Sequence, residues 1–155
     1  MQPRKNDPME LPIGDKIRNA FEEGGQRQTR SRALIMSRLA ELADRQVEFS
    51  AEGLWHDLRQ VNPTIGRATV FRAVDLLYHA GIINRIDFAD GSHKFRACGV
   101  KHHHHLTCIH CHCVIDIEID LPLDEINRIG QENHFQIEGH SFTLYGLCEA
   151  CQNQS

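Results

Sequence analysis

Apolar residues recur at helical spacing through the first half of the chain and alternate with polar ones in parts of the second. After an arm over residues 1–12 that shows no periodicity and reads as flexible, Ile13, Ile17, Ala20 and Phe21 trace one face of a helix that Gly24-Gly25 ends. Thr29 is placed to cap a second helix with an Ile35, Leu39, Leu42 stripe. Ser50 is placed to cap a third with Leu54, Leu58 and Val61 inward, closed by Asn62-Pro63-Thr64, because proline disfavours helical geometry in the residue before it. A fourth runs from about Arg67 to Ala80 with Val70, Val74 and Leu77 inward and Gly81 as its stop. Two strand-like runs follow, Ile82 to Phe88 and Lys94 to Cys98, around a turn at residues 89–92.

Two short helices joined by a tight turn outline a helix-turn-helix, and the hairpin after them makes it a winged helix. On the fourth helix Arg67, Phe71 and Asp75 share a face, with Arg72 beside Phe71 and off the apolar stripe. An arginine can fork onto a guanine edge, and an aromatic ring can pack on a thymine methyl. The alternative puts Phe71 in the core and the arginines in solvent. Arg27, Arg30 and Arg32, at the start of the second helix, suit phosphate or minor-groove contact.

Farther along, Ile115, Ile117, Ile119 and Leu121 alternate with Asp116, Glu118 and Asp120, which predicts a half-buried strand over residues 114–121. Pro122 fits the first turn of a helix carrying Leu123, Ile126 and Ile129. Phe135 to Ile137 and Ser141 to Tyr145 read as further strands. The fold class is therefore α+β, a winged helix-turn-helix followed by a small α/β unit. A unit of about 55 residues with this much apolar strand surface is marginal alone, so it is expected to pair with a second copy.

Composition adds the chemistry. The chain has 155 residues, 41% hydrophobic and 25% charged, which excludes a disordered or collagen-like protein. No apolar run approaches the roughly 20 residues that span a bilayer, and the N-terminus lacks the apolar core of a secretory signal, so a reducing cytoplasmic setting is expected. Eleven His and six Cys stand against one Trp and two Tyr, a bias that points to metal. Residues 1–98 carry a balance of +2, and residues 99–155 carry −6 with eight of the His and five of the Cys. Such segregation predicts two modules with different tasks.

Cys108-x-x-Cys111 and Cys148-x-x-Cys151 supply four thiolates in two pairs, the donor set of a closed tetrahedral zinc site. A disulfide or redox dithiol is the competing reading, disfavoured in a reducing compartment. Cys98 and the run His102-His103-His104-His105 form a second cluster. In an extended segment His103 and His105 point to one side and His102 and His104 to the other, so one strand can serve two metal sites. Imidazole suits zinc, ferrous iron, nickel and copper, and a Cys98 thiolate would favour zinc. A solvated polyhistidine surface is the plain alternative. His110, His112 and Cys113 have no assigned role.

Taken together, Thr29-x-x-Arg32, Ser50-Ala51-Glu52, Ile65-Gly66-Arg67-Ala68-Thr69-Val70-Phe71-Arg72, Ala80-Gly81-Ile82, His102 to Leu106 with Cys108-x-x-Cys111, and Tyr145-Gly146-x-Cys148-x-x-Cys151 resemble the ferric uptake regulator (Fur) family, most closely its zinc uptake branch. The match runs in order from about residue 13 to near the C-terminus. The resemblance implies a homodimeric, metal-responsive repressor of metal uptake genes that binds double-stranded operator DNA and no membrane. It implies a DNA-binding domain over residues 1–97, a hinge at 98–101, and a dimerisation and metal-binding domain over 102–155. Cys108, Cys111, Cys148 and Cys151 match the structural zinc site. His103 and His105 match the regulatory site, with Cys98 where the zinc branch places a thiolate, Glu48 as a candidate carboxylate, and Asp116 at another carboxylate sometimes recruited. His102, His104 and His140 match a further site. Arg27 matches a minor-groove contact, and Phe71 with Arg72 the Tyr-Arg pair that reads the major groove.

Several positions depart from the family pattern. Phe71 replaces the usual Tyr, Arg96 stands where iron sensors carry a ligating Glu, Asn84 where zinc sensors carry an Asp, and Leu123 where the further site has its acidic ligand. The implied regulatory ion is zinc, with an iron-responsive or peroxide-sensing regulator as the alternative. Outside that class stand a zinc-stabilised DNA-binding module that senses nothing and a zinc hydrolase. No His-Glu-x-x-His helix or nucleophile-base pair supports the hydrolase, so the chain reads as a non-enzyme.

Overall fold

The computed structural model describes residues 11–25, 29–97 and 103–154. Arg27, Cys98, His102, the hinge at 98–101 and most of the N-terminal arm lie outside the described residues. Two compact units emerge, Met1–Arg85 with His93–Gly99, and Ile86–Ser92 with Val100–Ser155. No described helix is long and apolar enough to cross a membrane.

The first unit contains α1 (Ile13–Glu23), α2 (Arg30–Asp44), α3 (Ala51–Val61) and α4 (Arg67–His79). Their starts are set by side chains. Thr29 Oγ1 accepts the N–H of Arg32 at 3.3 Å, and Ser50 Oγ accepts that of Gly53 at 3.0 Å, satisfying donors the helix leaves open. Gly81, at φ +70, ends α4: its N–H donates to Tyr78 O and that of Ile82 to Leu77 O, both at 3.0 Å. These are the paired bonds of a left-handed glycine cap. Trp55 Nε1 donates to Ile65 O at 3.2 Å and pins α3 to the turn before α4.

The helical stripes meet in one core, with Ile35, Leu39, Leu54, Leu58, Val70, Val74 and Leu77 essentially inaccessible. Burying each such side chain stabilises by about 1.5–3 kcal/mol. Val61, expected inward, is 72% exposed, because it is the last residue of α3 and the chain leaves the core there. The hairpin follows as β1 (Ile83–Asp87) and β2 (His93–Ala97). Backbone bonds in both directions between Phe49 and Phe95, at 2.9 and 2.7 Å, fasten β2 to the segment before α3.

The second unit carries β3 (His104–Cys108), β4 (Val114–Ile117), α5 (Leu123–Glu132), β5 (Thr143–Gly146) and the single turn α6 (Glu149–Gln152). Strand order is β4-β3-β5, with β4 antiparallel and β5 parallel to β3. The strand expected to reach residue 121 stops at Ile117, whose partner His104 is the first residue of β3. The strand expected at residues 135–137 is not formed. His134 sits at φ +55 and the Phe135 N–H donates to Gly130 O at 2.8 Å, so that segment closes α5 instead of pairing with the sheet. Pro122 stands at the N-cap of α5. Ile115, expected to be covered, is 53% exposed, Leu144 49% and Leu123 75%, leaving apolar surface on both the sheet and α5.

Candidate functional site

β3 presents donors at both ends. Its C-terminal residue Cys108 is in parallel register with Gly146 of β5, and the Ile109 N–H donates to Gly146 O at 2.9 Å. This pairing brings the turn after β3, which holds Cys111, against the α6 turn, which holds Cys148 and Cys151. Sulfur atoms of Cys108, Cys111, Cys148 and Cys151 all lie within 4.8 Å of one another, with Cys111 Sγ 3.6 Å from Cys148 Sγ. A tetrahedron with arms of about 2.3 Å has edges of about 3.8 Å, so this spacing fits four thiolates on one zinc ion. It is far from the roughly 2.05 Å of a disulfide, and none of the four sulfurs is disulfide-bonded.

Backbone donors prepare the cluster for a cation. The N–H groups of Cys111 and Cys148, each at 3.5 Å, and of His110 at 3.4 Å point at Cys108 Sγ and bring its thiol down to about 5. The Cys151 N–H likewise lowers Cys148. Hydrogen bonding to the Cys148 sulfur, reinforced by burial, pushes Cys151 up to about 12, as expected where thiols compete for one charge. His110, without a role in the sequence, has Nδ1 3.4 Å from Cys151 Sγ. His112 adopts φ +59 in this turn, and Cys113 returns its carbonyl to the Cys108 N–H at 3.0 Å.

Toward the other end of β3 the expected alternation is realised. His103 and His105 share one face, both buried, with ring centroids 4.9 Å apart and planes at 87°. Asp116 of β4 stands opposite His105 in the antiparallel register, Oδ1 3.7 Å from Nε2. One ligand atom from each of His103, His105 and Asp116 falls within a 4.8 Å cluster. Two imidazoles and a carboxylate suit zinc or ferrous iron, and three protein ligands leave coordination positions open.

His104 faces the other way and is fully buried. Its ring stacks on Phe142 at 3.7 Å and on His140 at 5.1 Å, and its Nδ1 accepts the Phe142 N–H at 3.2 Å. The structure thus brings His104 and His140 together as a stacked pair, with one nitrogen of His104 engaged by backbone. Glu48, in the first unit, accepts from Arg96 Nη1 at 3.5 Å, both side chains being mostly buried.

On α4, Phe71 is neither core nor free: it is half-buried and lies beneath Arg67, whose Cζ is 4.2 Å from the ring centroid. Arg67 Nε donates to Glu52 Oε2 at 2.8 Å, and Nη2 lies 2.7 Å from the same oxygen as an ion pair. Arg72 is exposed, with Nη2 3.5 Å from Thr69 Oγ1. The Glu52–Arg67 contact was not expected from the sequence, where the two residues are fifteen positions apart.

Residues 23–145 match the model of the ferric uptake regulator family. A ferric uptake regulation protein of Bacillus subtilis strain 168 is 32% identical over 143 residues, spanning 90% of this chain and 95% of its own. The crystal structure of the Vibrio cholerae ferric uptake regulator aligns with 32% identity and a TM-score of 0.58, covering 84% of this chain and 98% of that one. A zinc uptake regulator complexed with zinc and DNA shares the fold at a TM-score of 0.65 and 20% identity, over 94% and 98% of the two chains.

Proposed function

The chain belongs to the ferric uptake regulator family, and from that premise we propose that it is a DNA-binding transcriptional repressor whose corepressor is a metal ion. One observation carries the reading: a single strand, β3, contributes to a four-sulfur cluster at one end and to a separate histidine-carboxylate cluster at the other. A closed set of thiolates contributes to folding, whereas an open imidazole-carboxylate set exchanges its ion and reports its concentration. Cys108, Cys111, Cys148 and Cys151 hold the structural zinc. His103, His105 and Asp116 hold the regulatory ion, and the sequence offers Cys98 and Glu48 as further donors. Zinc is the proposed corepressor, and ferrous iron is the alternative that the same nitrogen and oxygen donors suit.

The first unit supplies DNA contact. α3, the turn at residues 62–66 and α4 form a helix-turn-helix, with Arg67 and Arg72 on the exposed side of α4. Arg27 adds a basic contact from the segment before α2. The uncovered apolar residues Ile115, Leu123 and Leu144 support pairing with a second copy of the chain, and a twofold protein reads a palindromic operator. Residues 1–97 act as the DNA-binding domain, 98–101 as hinge, and 102–155 as the dimerisation and metal-binding domain. The chain performs no catalysis and works in the cytoplasm.

Metal and DNA are linked: an ion that binds the DNA-competent form better raises DNA affinity by the same factor that DNA raises ion affinity. Coupling of about 1–3 kcal/mol corresponds to a change of roughly 5- to 150-fold. Duplexes selected from a randomised pool by the zinc-loaded protein are titrated with protein carrying zinc, cobalt(II) or manganese(II), or stripped at the histidine cluster by a mild chelator. Metal-dependent affinity is expected. Equal affinity in the stripped and loaded forms would overturn metal sensing and leave a zinc-stabilised DNA-binding module.

A further inference from the structure

Arg67 opens α4, and residues of this chain fix its guanidinium on two sides. Glu52, in the first turn of α3, accepts a hydrogen bond from Nε on Oε2 at 2.8 Å, and the same oxygen is ion-paired with Nη2 at 2.7 Å. Phe71, one turn along α4, has Arg67 Cζ over its ring, 4.2 Å from the centroid. Glu52 Oε1 has His56 Nε2 at 3.6 Å, so both carboxylate oxygens have neighbours. Among the described residues no group takes a hydrogen bond from Nη1.

A guanidinium carries five N–H groups in one plane. Glu52 uses the edge shared by Nε and Nη2. The outer edge, from Nη1 and the second N–H of Nη2, keeps two parallel donors, the fork that matches O6 and N7 of guanine in the major groove. We propose that Arg67 reads a guanine through this outer edge, and that Glu52 and Phe71 are positioning residues that hold its plane for the contact. The inference rests on the reading of α4 as the helix that enters DNA.

The energetics of the pair favour orientation over stability as its role. The side chains are 57% and 45% exposed, and an ion pair this wet contributes little to folding. What it does remove is the rotamer freedom that a long arginine otherwise loses on binding. The location also agrees, since residues at the N-terminal end of a recognition helix are those that reach base edges. Phe71 thereby gains a use other than packing on a thymine methyl: its ring faces Arg67. Arg72 has its Nη2 3.5 Å from Thr69 Oγ1, and among the described residues no carboxylate is ion-paired with it.

The test uses the full chain loaded with zinc and a randomised duplex pool. Wild type, Arg67→Lys and Glu52→Gln are each used to select duplexes. Affinity is then measured on the wild-type site and on versions with a single guanine changed to adenine. Thermal melting checks that each variant is folded. Wild type is expected to enrich guanine at a fixed position in each half-site. Arg67→Lys should lose that preference by roughly 5- to 150-fold while keeping the preferences at other positions. Glu52→Gln should reduce preference at the same position, although the substituted residue touches no base. Uniform weakening by Arg67→Lys across all sequences would make Arg67 a phosphate contact and overturn the proposal. An unaltered guanine preference in Glu52→Gln would remove Glu52 from it. Failure of the wild type to enrich any duplex would instead sink the reading of the chain as a DNA-binding regulator, and this inference with it.

Discussion

His105 on β3 and Asp116 on β4 are cross-strand partners, with Nε2 and Oδ1 3.7 Å apart and His103 on the same face. The antiparallel register alone puts a carboxylate beside two imidazoles. Asp116→Asn, which keeps shape and removes charge, is expected to weaken cobalt(II) at this cluster by at least about tenfold. The measurement is a spectroscopic titration of protein whose four-cysteine site is already filled with zinc. Unchanged affinity would take Asp116 out of the ligand set.

The four cysteines tie the end of β3 to the α6 turn, so losing their ion should release the second unit and spare the first. The helical core is built wholly from residues of the first unit. Structural zinc contributes apparent binding free energies of about 10–16 kcal/mol in small zinc domains. Cys148→Ser is expected to lower the zinc content by one ion per chain. Amide exchange should show protection lost along β3 and β5 and kept in α2 and α4. Uniform loss of protection would show that the two units unfold together.

Gly130 reverses a common rule. Exchanging an interior helical glycine for alanine ordinarily stabilises by about 1 kcal/mol. Here a Cβ would stand 2.7 Å from the backbone oxygen of Phe135, a residue whose N–H donates to Gly130 O. Overpacking of this kind costs about 1–3 kcal/mol. Gly130→Ala is therefore expected to shift the urea midpoint downward with little change in slope, and a stabilised variant would refute the close approach.

Val61 and Leu77 belong to equally regular apolar stripes but differ in burial, 72% against 0% exposed. Leu77→Ala should cost about 2–5 kcal/mol through lost contacts and the cavity left behind. Val61→Ala should stay within about 0.5 kcal/mol. Chemical denaturation of the two variants distinguishes them, and equal losses would mean that the end of α3 is covered.

Sequence pattern by itself determined the local elements from α1 through β2. Thr29, Ser50 and Gly81 act within a few residues of their own position, and the 3.6-residue stripes commit each helix to one face, so α1 to α4 and the β1–β2 hairpin were legible. The pairing of the two Cys-x-x-Cys motifs was legible too, because four soft donors in two short loops make up the donor set of one tetrahedral zinc site. The alternation of His103, His104 and His105 followed from strand geometry. Tertiary structure alone decided what depended on partners distant in the chain. The register of β3 against β4 set Asp116 beside His105, and the fold of α3 onto α4 set Glu52 on Arg67. The Phe135 to Ile137 run has strand-like residues, yet its first N–H is taken by Gly130 O, and a backbone donor satisfied by a helix end is lost to a sheet. Side-chain periodicity records which face of an element is apolar. Which residues meet across two elements is set by register and packing, and these are properties of the folded chain.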